Sequence, residues 1–219
     1  MTSQAIDLST GYNCLFDDGQ HWRVSLSEIE TFRDEWLERM PTIRAFSERI
    51  SRCLWFDLLI LTRRYGIWPG EILQPVLDSE NGEPVTGLKP ATQFTREPLR
   101  GLWHKHWFSA RFLPANLLAA MSRRDSMDFI WEIANEGDLL TEDIIKQIAH
   151  RLTITAFEKR SATKKMTGEW IVFLKHDEMN YYLCLGTHQT GDQRILDKID
   201  SICRLDFPDL QAWLAAAKS

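Results

Sequence analysis

The sequence has no excess of basic residues, no long apolar run and no closely spaced cysteines, and each absence removes a class of function. Its 26 Lys and Arg stand against 31 Asp and Glu, giving a net charge of -5 and an isoelectric point near 5.7. A protein that coats nucleic acid without regard to sequence carries the opposite balance. No stretch approaches the roughly 18 consecutive apolar residues of a membrane-spanning helix. The opening residues, MTSQAIDLSTGYN, also lack a basic segment followed by an apolar one. The expectation is a cytoplasmic protein with no membrane partner. Cys14, Cys53, Cys184 and Cys203 form no CxxC pair, which argues against a zinc ribbon or a thioredoxin-type site. The last three lie in apolar surroundings, as expected of free thiols in a reducing compartment. HExxH and clustered-carboxylate motifs, internal repeats and low-complexity tracts are absent too.

What is present is material for a core. Of 219 residues, 44% are hydrophobic, and only 11 Gly and 8 Pro interrupt them, a composition that folds without help. Nine tryptophans supply large amphipathic rings, several beside charged residues (Trp22, Trp36, Trp103, Trp107), suited to core edges or interfaces. The expected organisation is one compact body. Its residues 1–90 form an N-terminal helical region with an irregular loop, and residues 91–219 form an α+β region carrying the candidate site.

The first clear element signal is Val24-Ser25-Leu26-Ser27-Glu28-Ile29. There Ser25 and Glu28 make a capping box and Val24 a hydrophobic staple onto Ile29. A helix starts there and ends or bends at Pro41. Apolar residues at three- and four-residue steps from Ile43 to Tyr65 predict one helix over about 42–65, stopped by Gly66. Asp57, inside its apolar second half, is read as facing out or paired with an arginine, and less readily as a site carboxylate. From Trp68 to Pro98 prolines and glycines predict a long irregular region. Helices are expected over about 126–136, 141–159, 192–203 and 209–217. Between them the period changes. EWIVFLK (169–175) and YYLCL (181–185) read as strands joined by the five-residue loop 176–180, a hairpin over about 169–186. Both of its faces are apolar, so helices must flank it and at least one more strand must join it. The fold class is α+β, helix-rich, with a small antiparallel sheet built around that hairpin.

Two histidine-bearing segments carry candidate chemistry. In Leu99-Arg100-Gly101-Leu102-Trp103-His104-Lys105-His106-Trp107-Phe108, followed by Arg111, an extended backbone puts His104 and His106 on one face and Trp103, Lys105 and Trp107 on the other. A helix would set the two imidazoles about 200° apart. In Gly186-Thr187-His188-Gln189-Thr190-Gly191-Asp192 a strand passes into a helix whose first N–H groups suit an anion, with His188 beside it. The plainer reading is a helix cap and a solvated loop histidine. Lys175, His176 and the run Lys159, Arg160, Lys164, Lys165 add positive charge nearby, or form a solvated charged face.

Paired histidines with Lys, Arg and Thr suit metal-independent RNA cleavage. One imidazole takes the ribose 2′-hydroxyl proton, a second gives one to the leaving oxygen, and a cation stabilises the phosphorane. Trp103 and Trp107 would stack unpaired bases. A metal site using HxH is the competing chemistry, but no motif completes it, so no cofactor is expected.

The segment GEWIVFLKHDEMNYYLCLGTHQTGDQRI resembles the closing strands of the compact ribonucleases grouped around barnase, EndoU, colicin and RelE-type toxins. The resemblance implies a small antiparallel sheet preceded by helices. It also implies that His104 or His106 plays the role of one catalytic group and His188 with Thr187 that of another. The expectation is a toxin-like endoribonuclease with His104, His106 and His188 catalytic and Arg100, Lys105, Arg111, Lys175 and Thr187 binding substrate, its partners RNA and a cognate protein. The alternative is a non-enzymatic immunity or antitoxin-type protein, whose acidic surface and tryptophans recognise another protein.

Overall fold

A computed structural model describes residues 11–15, 19–82, 90–107, 169–187 and 190–218. These belong to one compact unit; the expected helices over 126–136 and 141–159, Arg111, His188 and the basic run 159–165 lie outside the described residues. The fold is α+β. Strands β1 (Gly11–Leu15) and β2 (His21–Ser25) form an antiparallel pair, inside the region 1–90 expected to be helical with an irregular loop. The second sheet contains β3 (Thr92–Gln93), β4 (Trp103–Trp107), β5 (Glu169–His176) and β6 (Met179–Thr187), all antiparallel in the order β3-β4-β5-β6. β5, continuously apolar from Trp170 to Leu174, is therefore an interior strand, buried on both faces. At one end of the sheet Trp107 pairs directly with Glu169.

Helix α1 (Leu26–Arg39) begins at the expected capping box. The Ser25 N–H donates to Glu28 Oε2 at 2.9 Å, and the Glu28 N–H donates to Ser25 Oγ at 3.3 Å. The single helix expected over 42–65 is two elements: a 3-10 helix, Pro41–Arg49, and α2 (Arg52–Tyr65), separated by extended Ile50. The break has a physical cause. Ile50 bridges to Tyr182 in parallel fashion, the Ser51 N–H donates to the Tyr182 carbonyl at 2.9 Å, and Ser51 Oγ donates to the Leu183 carbonyl while capping α2. Residues 49–57 thus cover the outer edge of β6, satisfying groups that an open edge strand would leave to another chain.

The region expected to be irregular over 68–98 contains α3 (Gly70–Glu80), with Pro75 inside it. Pro75 sits one turn from the start, where the missing N–H costs one helical bond, and burial of Ile72, Leu73 and Val76 compensates. α3 lies on the sheet face that carries Lys105 and Tyr182. Glu80 binds the Tyr182 hydroxyl and the Asn180 side-chain amide, both at 2.9 Å, and pairs with Arg49. On the other face lie α4 (Asp192–Ile202) and α5 (Leu210–Ala217). Gly186 allows that packing: a Cβ there would stand 2.6 Å from Ile195 Cδ1 of α4. The hairpin turn is tighter than the expected five-residue loop. His176 pairs with Met179, leaving Asp177 and Glu178 as a two-residue turn with φ of 47° and 62°, the signature of a type I′ connection whose twist matches the strands.

Candidate active site

β4 is extended, so the alternation expected of residues 103–107 is realised. His104 and His106 share one face of the sheet, their ring centroids 5.3 Å apart and their planes at 82°. Two aromatic residues complete the cluster. Trp170 is the direct cross-strand partner of His106, and its ring lies 5.3 Å from that of His104. Phe94 follows β3; its N–H donates to the Leu102 carbonyl at 2.8 Å, which sets its ring 4.5 Å from His104 and 5.4 Å from Trp170. Both histidines are half-buried, with Nδ1 shielded from solvent.

The basic residues expected beside them do not share that face. Lys105 points to the opposite side, is buried, and donates to Ser79 Oγ of α3 at 2.7 Å; burial lowers its pKa. Lys175 is on that same opposite side, its Nζ 4.0 Å from the centroid of the Trp103 ring. Arg100 is exposed in the turn that leads into β4. Thr187 ends β6, its main chain paired with Glu169. The structure therefore brings together His104 and His106, keeps Arg100 a few residues from them along the chain, and turns Lys105 and Lys175 away. Arg111 and His188 are not among the described residues.

Glu169, at the start of β5, has an ionisation suited to proton transfer. Burial raises its pKa to about 7, and the nearby Asp57 carboxylate adds to the effect, a value in the range where acid-base groups operate near neutrality. Sequence reasoning missed three residues here. Phe94 fell in the stretch read as irregular, Trp170 was taken as hairpin core, and Glu169 looked like an ordinary strand start. Only the pairing register shows Trp170 opposite His106, and no local pattern encodes a register between segments so far apart.

Among the described residues no three His, Cys, Asp or Glu side chains converge as a metal site, and no helix is long and apolar enough to cross a membrane. All four cysteines are free thiols, three of them buried. Asp57 pairs with Lys198 of α4 and accepts the Leu185 N–H at 2.8 Å, instead of meeting an arginine or solvent. Lys198 keeps its proton despite burial because the Asp57 carboxylate lies against it. Comparison with protein families, with curated proteins and with solved structures finds no match to this chain.

Proposed function

We propose that this protein is a metal-independent endoribonuclease in which His104 and His106 exchange protons with RNA. The observation that carries the reading is the placement of two imidazoles 5.3 Å apart on one sheet face, beside Trp170 and Phe94. Rings at that spacing both reach a single phosphodiester, since proton transfer needs heavy atoms about 2.6–3.2 Å apart. One neutral imidazole takes the proton of the ribose 2′-hydroxyl as its oxygen attacks phosphorus. The bond from phosphorus to the 5′-oxygen breaks, and the other, protonated, imidazole supplies that oxygen with a proton. The products are a 2′,3′-cyclic phosphate and a 5′-hydroxyl. Histidine alone among side chains populates both forms near neutrality without a shifted pKa. With Lys105 tied to Ser79, Arg100 and the expected Arg111 are the cations left to stabilise the phosphorane, and His188 with Thr187 completes the expected set.

The test is cleavage of purified RNA with and without EDTA. Chelator-resistant cleavage is expected, falling by about 100- to 10,000-fold in His106→Ala. Cleavage abolished by EDTA, or unchanged when both His104 and His106 are replaced by alanine, would sink the reading.

A further inference from the structure

Lys105 and Ser79 meet on the sheet face opposite His104 and His106. Helix α3 brings the serine there. Ile72 and Val76 are buried, and Ser79 follows them on the same helical face. From that position Ser79 Oγ accepts from Lys105 Nζ at 2.7 Å and donates to the Pro75 carbonyl at 2.8 Å. Ser79 is half-buried, whereas Lys105 is only 7% exposed. Of the two, the serine keeps contact with solvent and the lysine is sealed.

What distinguishes the pair is a missing counter-charge. Lys198, half-buried, has the Asp57 carboxylate against it. Lys105 has no ion-pair partner among the described residues, where Ser79 is its one hydrogen-bond acceptor. Ile171 stands directly opposite it on β5, and Asp78 of α3, whose charge acts on it, stays beyond ion-pair distance and accepts from Gln74 at 2.7 Å. An ammonium taken out of water without a counter-ion is disfavoured against the neutral amine, and burial accordingly lowers the Lys105 pKa from the ordinary lysine value of 10.5. A neutral lysine carries a lone pair. The hydrogen bond then reverses, with the Ser79 hydroxyl donating to Nζ, and Nζ is placed to take its proton.

We propose that Ser79 is a nucleophile for carboxylic esters and Lys105 its general base, a serine–lysine pair on the sheet face away from the histidines. Ser79 Oγ attacks the acyl carbon as its proton passes to Lys105 Nζ. The bond from that carbon to the alcohol oxygen breaks, and the leaving oxygen takes the proton from Nζ. Water then attacks the acyl-serine, giving its proton to Nζ, which returns it to Ser79 Oγ as the carboxylic acid departs. The proposal does not rest on the ribonuclease reading and would stand if no RNA were cleaved.

The test is labelling of the full chain with a rhodamine-tagged fluorophosphonate, which phosphonylates an activated serine with loss of fluoride, followed by mass mapping of the adduct. An adduct on Ser79 is expected, forming at a rate that rises with pH and levels off below the ordinary lysine value of 10.5. Lys105→Met keeps an apolar stem and removes the amine. It should slow labelling by about 100- to 10,000-fold, the value of a positioned base, with a circular dichroism spectrum like the parent's. Lys105→Arg keeps the charge and the donor but cannot accept a proton, so a loss of the same order is expected. Hydrolysis of p-nitrophenyl acetate should follow the same order and vanish in Ser79→Ala. An unlabelled Ser79 in the parent chain, or labelling retained in Lys105→Met or Lys105→Arg, would make the pair a structural hydrogen bond and overturn the proposal. A parent rate that climbs through pH 10.5 without levelling off would overturn it as well.

Discussion

Asp177 and Glu178 hold the β5-β6 turn in left-handed backbone conformations, with φ of 47° and 62°, at a cost of about 1–2 kcal/mol per residue for an ordinary L-amino acid. Asparagine and aspartate tolerate this region; glutamate has no such relief. Glu178→Gly is therefore expected to stabilise the protein by about 0.5–1 kcal/mol after its extra unfolded-state entropy is discounted, read as a higher urea midpoint at unchanged slope. The turn was illegible in the sequence for the same reason, because Asp-Glu lacks the glycine that marks a two-residue connection. Glu169 makes a second residue-scale prediction. The folded protein holds its proton up to about pH 7, whereas the unfolded chain releases it near the ordinary glutamate value of 4.5. Its contribution to stability is complete below pH 4.5 and is lost as pH rises through 7. Glu169→Gln should thus be more stable than the parent at pH 8, by on the order of 2 kcal/mol, and equal to it at pH 4; thermal melts at the two pH values check this. Glu28 works in the opposite direction. The Ser25 N–H, Arg63 and the Ser25 hydroxyl hold its pKa near about 2, so its smaller, partly exposed contribution is present above pH 4.5 and fades as acid is added.

Elements with local signals were legible. The capping box at Ser25 and Glu28, the stop at Gly66, the apolar run of β5 and the helix from Asp192 all stand where the sequence puts them. Elements whose form depends on distant partners were not. The apolar steps from Ile43 to Tyr65 are continuous in sequence, and what divides them is the edge of β6, which recruits Ile50 and Ser51. The prolines of α3 hid the spacing of Ile72, Leu73 and Val76, which burial against the sheet overrides. Ser51 serves two elements at once, capping α2 and binding the Leu183 carbonyl. Ser51→Ala should therefore cost more than an ordinary cap, about 2 kcal/mol from the lost cap plus a buried carbonyl left with only the weak Cys203 thiol as donor, seen as a lower melting temperature. A cost near 1 kcal/mol would mean that the carbonyl finds another donor.

Across the whole molecule, strand alternation puts His104 and His106 on one side and Lys105 on the other once the segment is extended, since a period of two follows from any extended backbone, but the sequence left a helix open there. Which helix covers each side was not predictable, because it depends on how α3, α4 and α5 dock, and the same docking ties Lys105 to Ser79. The pairing of Trp107 with Glu169 has a consequence for modularity. Directly opposed residues of antiparallel strands lie about 4.5–5.5 Å apart, so the chain departs for residues 108–168 and returns from them at what is, in strand geometry, the mouth of a hairpin. Replacing residues 108–168 by a short glycine-containing connector should close β4 onto β5 as a simple hairpin, without breaking a ladder bond between them. The shortened chain is expected to melt cooperatively and to retain near-native β-sheet signal by circular dichroism; a chain that no longer folds would show that the unit draws stability from the excised residues. In evolutionary terms, such a junction is a point of insertion, where a complete sheet can acquire or lose a segment without changing its own register.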